Sequence, residues 1–373
     1  MKPVEHIRAA LRASLDARAP LWVEPPVLQP AAVYLELSGE EIRRRAFLID
    51  DASHGALCLR PDMTAPAVRV AFEQAKLPPL VAYEGLVFRR QPPGSERENE
   101  FVQIGAEWLG KGDLDAAGEA QVIAAALDAC RAAGVKPGLK LGDFALLAGF
   151  VAALGLDEPW PGRVRRALSR AGGLAALRAE KPVTMDEGAG LAEALATLAP
   201  DHAEAALNDL LAHARITPVG GRPIAEIARR LQQRGKLAAA APPSAAQYDL
   251  LDELTHIDAA DGLDRVAKLA ESKLLKQRAL ADAAIVKARA RLEALKGALP
   301  AQTSFAPGLG RTLAYYDGFV FELEAPALGA RSSLGGGGRY DGLARALWTK
   351  GETPALHAAG FAVRPQRLAE VAP

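Results

Sequence analysis

Only two cysteines, Cys58 and Cys130, occur among 373 residues. That is too few for a disulfide framework, and neither lies at a spacing that ligates zinc; we expect two reduced thiols in a cytosolic protein. An excess of charge is also missing. The 45 Lys and Arg residues stand against 45 Asp and Glu, which argues against a general polyanion binder, because affinity for a phosphate backbone needs surplus cations. No uncharged apolar run approaches the roughly 18 residues of a membrane span. The six histidines form no HExxH or HxxxH pair and no serine sits in GxSxG, so neither a metal site nor a hydrolase triad is expected.

What is present is a chain of 39.3 kDa, half of it hydrophobic, with mean hydropathy near zero. Its length suits two or three domains with real cores. Val4, Ile7, Leu11 and Leu15 recur at helical spacing with Glu5 and Asp16 among arginines, predicting an amphipathic helix rather than a signal peptide. Extended segments follow around Leu21–Pro30 and Ala46–Arg60, a helix over Pro66–Ala75, and strands over Leu80–Arg89 and Glu100–Leu109. A helix over Asp113–Ala133 has acids in its first turns and Gly134 beyond its end. A short extended piece spans Leu139–Gly142. Residues 155–298 turn alanine- and leucine-rich, cut by Pro200, the Pro218–Pro223 stretch and Pro242-Pro243; Lys268–Leu299 reads as a solvated, charge-laced helix. Strand character returns over Thr312–Leu323 and Ala358–Val363, before a helical tail. We therefore expect an α+β fold in which residues 1–154 and 299–373 form one core interrupted by a mostly helical insertion over residues 155–298.

Three segments bear on chemistry. In the strand around Glu100–Leu109, alternation puts Val102, Ile104, Ala106 and Trp108 on one face and Phe101, Gln103, Gly105 and Glu107 on the other. The second face is either an ordinary half-exposed surface or a binding face, since a glycine within a strand marks close approach of a ligand or backbone. Arg89 and Arg90 at the mouth of the preceding hairpin either clamp a carboxylate or phosphate or belong to a solvated charged loop with Glu96, Arg97 and Glu98. Gly335–Gly338, inside Leu334–Gly342, fits neither the P-loop nor GxGxxG template; a glycine-rich turn is the expectation.

In order along the chain these segments resemble the catalytic core of the histidyl-tRNA synthetase family. Leu59-Arg60-Pro61-Asp62-Met63-Thr64 is similar to that family's Leu-Arg-Pro-Glu-x-Thr segment, and Phe88-Arg89 with Phe101–Glu107 to motif 2. Arg311-Thr312-Leu313-Ala314-Tyr315-Tyr316 is similar to the histidine-specific Arg-Gly-Leu-Asp-Tyr-Tyr segment. Gly338-Arg339-Tyr340-Asp341-Gly342 and Gly360-Phe361-Ala362, ending in Arg367, resemble the last stretch and motif 3. The resemblance implies a class II aminoacyl-tRNA synthetase-like core, an antiparallel sheet flanked by helices. It also implies an L-histidine site built from Asp62, Thr64, Arg89, Gln103, Glu107, Arg311, Tyr315, Tyr316 and Tyr340. Glu107 and Gln103 would take the ammonium and imidazole, Thr64 and Asp62 the ammonium, Tyr316 and Tyr340 the ring, and Arg311 the carboxylate.

Departures fall on the groups that handle ATP and tRNA. Arg364 replaces a motif 3 glycine that lets the nucleotide approach, motif 2 reads Arg90-Gln91-Pro92, and Asn99, Ala314 and Gly318 replace an arginine, an aspartate and an arginine. The chain stops at Pro373, so an anticodon-binding domain of about a hundred residues is expected to be absent. This pattern resembles the paralogous family of ATP phosphoribosyltransferase regulatory subunits. It implies a chain that has no catalytic residues or cofactor of its own, partners the short-form catalytic subunit, dimerises through the core, senses L-histidine and works in the cytoplasm without nucleic acid or membrane. The rival is a truncated ligase that still activates histidine with ATP; a tRNA-binding module is disfavoured by the balanced charge.

Overall fold

Two strands rich in apolar residues, Leu80–Phe88 and Glu100–Lys111, form the longest hairpin among the described residues. The computed structural model describes residues 3–35, 44–51, 55–168, 172–180, 189–216, 224–309 and 315–373. Eleven strands are described: β1 Leu21–Trp22, β2 Leu28–Pro30, β3 Phe47–Asp51, β4 Gly55–Leu59, β5 Leu80–Phe88, β6 Glu100–Lys111, β7 Gly138–Asp143, β8 Thr303–Phe305, β9 Phe319–Glu324, β10 Ser333–Arg339 and β11 Leu356–Val363. Eight of them form one sheet in the order β1-β5-β6-β11-β10-β9-β7-β8, and the other three a small sheet β2-β4-β3. Only the outermost pairs, β1 with β5 and β7 with β8, are parallel; β5 through β7 pair antiparallel.

Helices cover both faces of the large sheet. Helix α1, Val4–Asp16, buries Ile7, Leu11 and Leu15 as their spacing requires, and packs with β6 and with α3, Ala116–Ala132. Asp115 caps α3 by accepting from the Gly118 amide at 2.8 Å, the role expected of an aspartate before an apolar helical run. On the opposite face, α2, Thr64–Glu73, packs against β5 and β6, and the helix Asp341–Leu347 against β11 and α2. Val81 and Tyr83 on that face join Ala67, Val68 and Phe72 of α2 in one core. Both faces of β6 are thus buried, and Gln103 and Glu107 do not look onto water.

The glycine run corrects an expectation. Gly335–Gly338 is not a turn but the middle of β10, a central strand between β9 and β11. Glycine is a poor strand former, and what places it here is crowding: a Cβ on Gly337 would lie 1.9 Å from the Gly360 carbonyl oxygen, and one on Gly338 2.8 Å from Cδ1 of Tyr316.

The chain clusters into two units. One comprises residues 1–147, 254–269 and 282–373 and contains both sheets. The other comprises residues 148–253 and 270–281, and the regular elements among its described residues are helices. Within it, the helices Ala189–Ala196 and Ile224–Ala239 approach so closely that a Cβ on Gly235 would meet the Ala192 carbonyl oxygen at 2.1 Å. Buried Gln232 donates to the carbonyls of Leu195 and Leu198 at 3.0 and 2.9 Å, satisfying the last turn of its neighbour.

Candidate functional site

Sheet register creates the site. Glu107 on β6 stands opposite Val81 of β5 and Gly360 of β11, and Gly360 stands opposite Gly338 of β10. Two glycines in a row leave bare backbone beside the carboxylate. A Cβ on Gly360 would sit 1.7 Å from Glu107 Oε2, so no other residue fits there while Glu107 keeps its place. Gly105 serves a similar purpose one row along: its Cβ would lie 2.1 Å from the Phe361 carbonyl oxygen and 2.7 Å from the Tyr83 hydroxyl. The approach that this glycine marks is made by the protein itself.

Glu107 is fully buried. Tyr83 donates to its Oε1 at 2.7 Å and Tyr340 to its Oε2 at 2.5 Å. Burial pushes its carboxyl up to about 7, against hydrogen bonds from Tyr340, Tyr83 and Thr64 that favour the charged form and with nearby Asp62 adding to the rise. Asp62, also buried, accepts from the Tyr315 hydroxyl at 2.9 Å; burial raises its carboxyl too, and the Arg89 guanidinium is the largest influence opposing that rise. Gln103 Oε1 accepts from the Met63 amide at 3.2 Å, fixing the turn that leads into α2. Tyr315 and Tyr316 lie 4.8 Å apart by ring centroids, and Tyr340 meets Tyr316 edge-on at 6.3 Å.

Asp62, Thr64, Gln103, Glu107, Tyr315, Tyr316 and Tyr340 therefore converge on one face of the sheet. Arg89 borders them: its Nε donates to the Pro61 carbonyl at 2.7 Å and its guanidinium lies 5.2 Å from the Phe101 ring centre. Arg311, expected for a carboxylate, lies outside the described residues. Tyr83 was not anticipated. A tyrosine on a strand looks like ordinary core, and the available signal was Gly105, which stands directly opposite it in the hairpin.

A second cluster adjoins Phe101. Arg364, just after β11, places its guanidinium 3.9 Å over the Phe101 ring and 3.8 Å from Glu98. Buried Arg367 donates to Glu98 at 2.9 Å and to the carbonyls of Arg331 and Ser333 at 3.1 and 2.8 Å. Burial opposes the Glu98 charge, but its main-chain amide and these arginines hold the carboxyl below its ordinary range. The charged hairpin is thus not left to solvent; Glu98 ties it to the arginines after β11.

Among the described residues no helix is long and apolar enough to cross a membrane. The profile described as histidyl-tRNA synthetase matches residues 1–253 and 225–368. An ATP phosphoribosyltransferase regulatory subunit of Brucella anthropi is 37% identical over 96% of this chain and 95% of its own length. The protein of that name from Brucella ovis is 35% identical over 97% and 96%. A crystal structure titled as an ATP phosphoribosyltransferase regulatory subunit/histidyl-tRNA synthetase from Bacillus halodurans C superposes with a TM-score of 0.64 at 20% identity, over 99% of this chain and 79% of that one. That last likeness establishes the class II synthetase-like fold. Profile and relatives together show that this chain belongs to the histidyl-tRNA synthetase family, in its branch of ATP phosphoribosyltransferase regulatory subunits.

Proposed function

We propose that this chain acts without catalysis of its own, as the cytoplasmic partner of a short-form ATP phosphoribosyltransferase catalytic subunit, and that L-histidine binding at the Glu107 site inhibits the complex. The observation that carries this reading is the contrast between the two clusters. Arg364 and Arg367 both pair with Glu98, and Arg364, standing where the resemblance has the glycine that lets the nucleotide approach, lays its guanidinium over Phe101. Glu107, by contrast, is held by hydroxyl groups. A buried carboxylate without a cation is costly, and an arriving ammonium relieves that cost. Gln103 suits an imidazole N–H, and the tyrosines supply ring faces and edges.

Calorimetry on the full chain tests the site. Wild type binds L-histidine, and Glu107→Gln weakens it at least about 30-fold, because loss of one member of a buried charge pair costs 2 kcal/mol or more. Unchanged affinity would place the effector elsewhere. Histidine-dependent exchange of pyrophosphate into ATP by the purified chain would favour the ligase instead.

The reading also includes a homodimer of the core. Val27, Leu28, Leu48, Ile49 and Leu86 are exposed on and beside the small sheet, with Val27 and Leu86 bridged through Arg60, whose amide donates to one carbonyl and whose Nε donates to the other. Neighbouring exposed apolar side chains of this kind are what a partner surface covers.

A further inference from the structure

The large-sheet unit holds a cleft of about 520 Å³ that the histidine site does not use. Its apolar walls include Phe72, Leu109 and Trp348, and its rim carries Lys76, Lys111 and Lys350. Trp348 packs edge-on to Phe72, 5.1 Å between centroids at 77°, and its Nε1 donates to the Lys350 carbonyl at 3.2 Å. A rigid aromatic wall results. Lys350 Nζ donates to the Gln74 carbonyl. Among the described residues no carboxylate lines the cleft, and none pairs with any of the three lysines. In a chain with as many acids as bases, three lysines around one cavity without a counter-charge repel each other, and an anion relieves them.

We propose that this cleft binds a nucleotide, whose base lies on the Trp348 and Phe72 wall and whose phosphates meet the lysines. Lysines act as compact, mobile point charges suited to phosphate oxygens, and an aromatic wall accepts any base by its π-face. The volume falls within the range for small-molecule sites. The cleft is separate from the Glu107 site but built on the same elements. Helix α2 carries Thr64 at one end and Phe72 at the other. Strand β6 carries Glu107 and then Leu109 and Lys111, and the helix Asp341–Leu347 lies between Tyr340 and Trp348. A ligand here does not compete with one at Glu107.

Titration of the full chain with ADP, followed by calorimetry, tests the proposal, with adenosine and inorganic phosphate as controls. ADP binds more tightly than either control, and saturating L-histidine does not displace it. The Lys76→Glu/Lys111→Glu double variant, exposed and therefore expected to fold, weakens ADP about tenfold or more while circular dichroism stays unchanged. Trp348→Leu weakens ADP but not inorganic phosphate. Any of four results overturns the site: no ADP binding at millimolar concentration, equal binding of phosphate alone, displacement by histidine, or undiminished affinity in the lysine variant.

Discussion

Glu107 concentrates the cost and the use of the site in one carboxyl group. Burial raises it from an ordinary 4.5 to about 7. The folded chain therefore holds this proton more tightly than the unfolded one, so the contribution to stability is fully present below pH 4.5 and is lost as pH rises through 7. The difference corresponds to roughly 3 kcal/mol. In urea unfolding of the ligand-free protein, Glu107→Gln is expected to flatten this part of the pH profile and to be the more stable form at pH 8. A variant that tracks wild type across the whole window would remove Glu107 from the account. Arg364 offers the complementary test. Arg364→Gly frees the Phe101 ring and loosens Glu98, and ATP affinity is expected to rise about tenfold, the scale of one base stacked on an aromatic ring; calorimetry with ATP reads it directly.

At the scale of elements, the glycines of β10 and β11 and the ion network beside them do the positioning. Gly360→Ala forces a methyl group into Glu107 Oε2 and the Ala106 carbonyl oxygen, 2.4 Å away. It is expected to lower the thermal midpoint and to abolish L-histidine binding, whereas Gly94→Ala, with nothing within 4 Å of its Cβ, leaves binding intact. Arg291 joins Glu119 at 2.7 Å and Asp143 at 2.9 Å, all three buried, and Glu119 also accepts from Arg339 at 2.9 Å. Arg291→Ala is expected to destabilise the sheet unit by about 3–5 kcal/mol, measured by chemical denaturation, because it leaves buried carboxylates with fewer partners. Local patterns made part of this legible. Alternation gave the β5–β6 hairpin and set Gln103, Gly105 and Glu107 on one face, while helical spacing and an acidic start gave α1 and α3. Gly335–Gly338 hid its strand because its glycines answer to Tyr316 and to the carbonyls of Ala362, Gly360 and Phe319 on other segments rather than to their own propensity. Arg291 hid within a stretch that looked solvated, its partners lying 148 and 172 residues away.

At the scale of the molecule, the chain joins an arginine cluster paired with Glu98 to a buried carboxylate whose partners among the described residues are hydroxyl groups. Inhibition by a ligand requires that it bind one quaternary state better than another, and its effect cannot exceed that difference in affinity. If the exposed apolar residues around the small sheet form the dimer contact, Leu28→Glu/Leu48→Glu is expected to shift the protein to monomer in analytical ultracentrifugation with its circular dichroism retained; a monomeric wild type would contradict that contact. The most direct test of the central claim is the rate of phosphoribosyl transfer from phosphoribosyl pyrophosphate to ATP by a short-form catalytic subunit, measured with this chain added and L-histidine titrated. The chain is expected to raise the rate and L-histidine to lower it, whereas the Glu107→Gln chain still raises the rate but no longer responds to L-histidine. A rate indifferent to the chain, or inhibition that survives in Glu107→Gln, would contradict that claim.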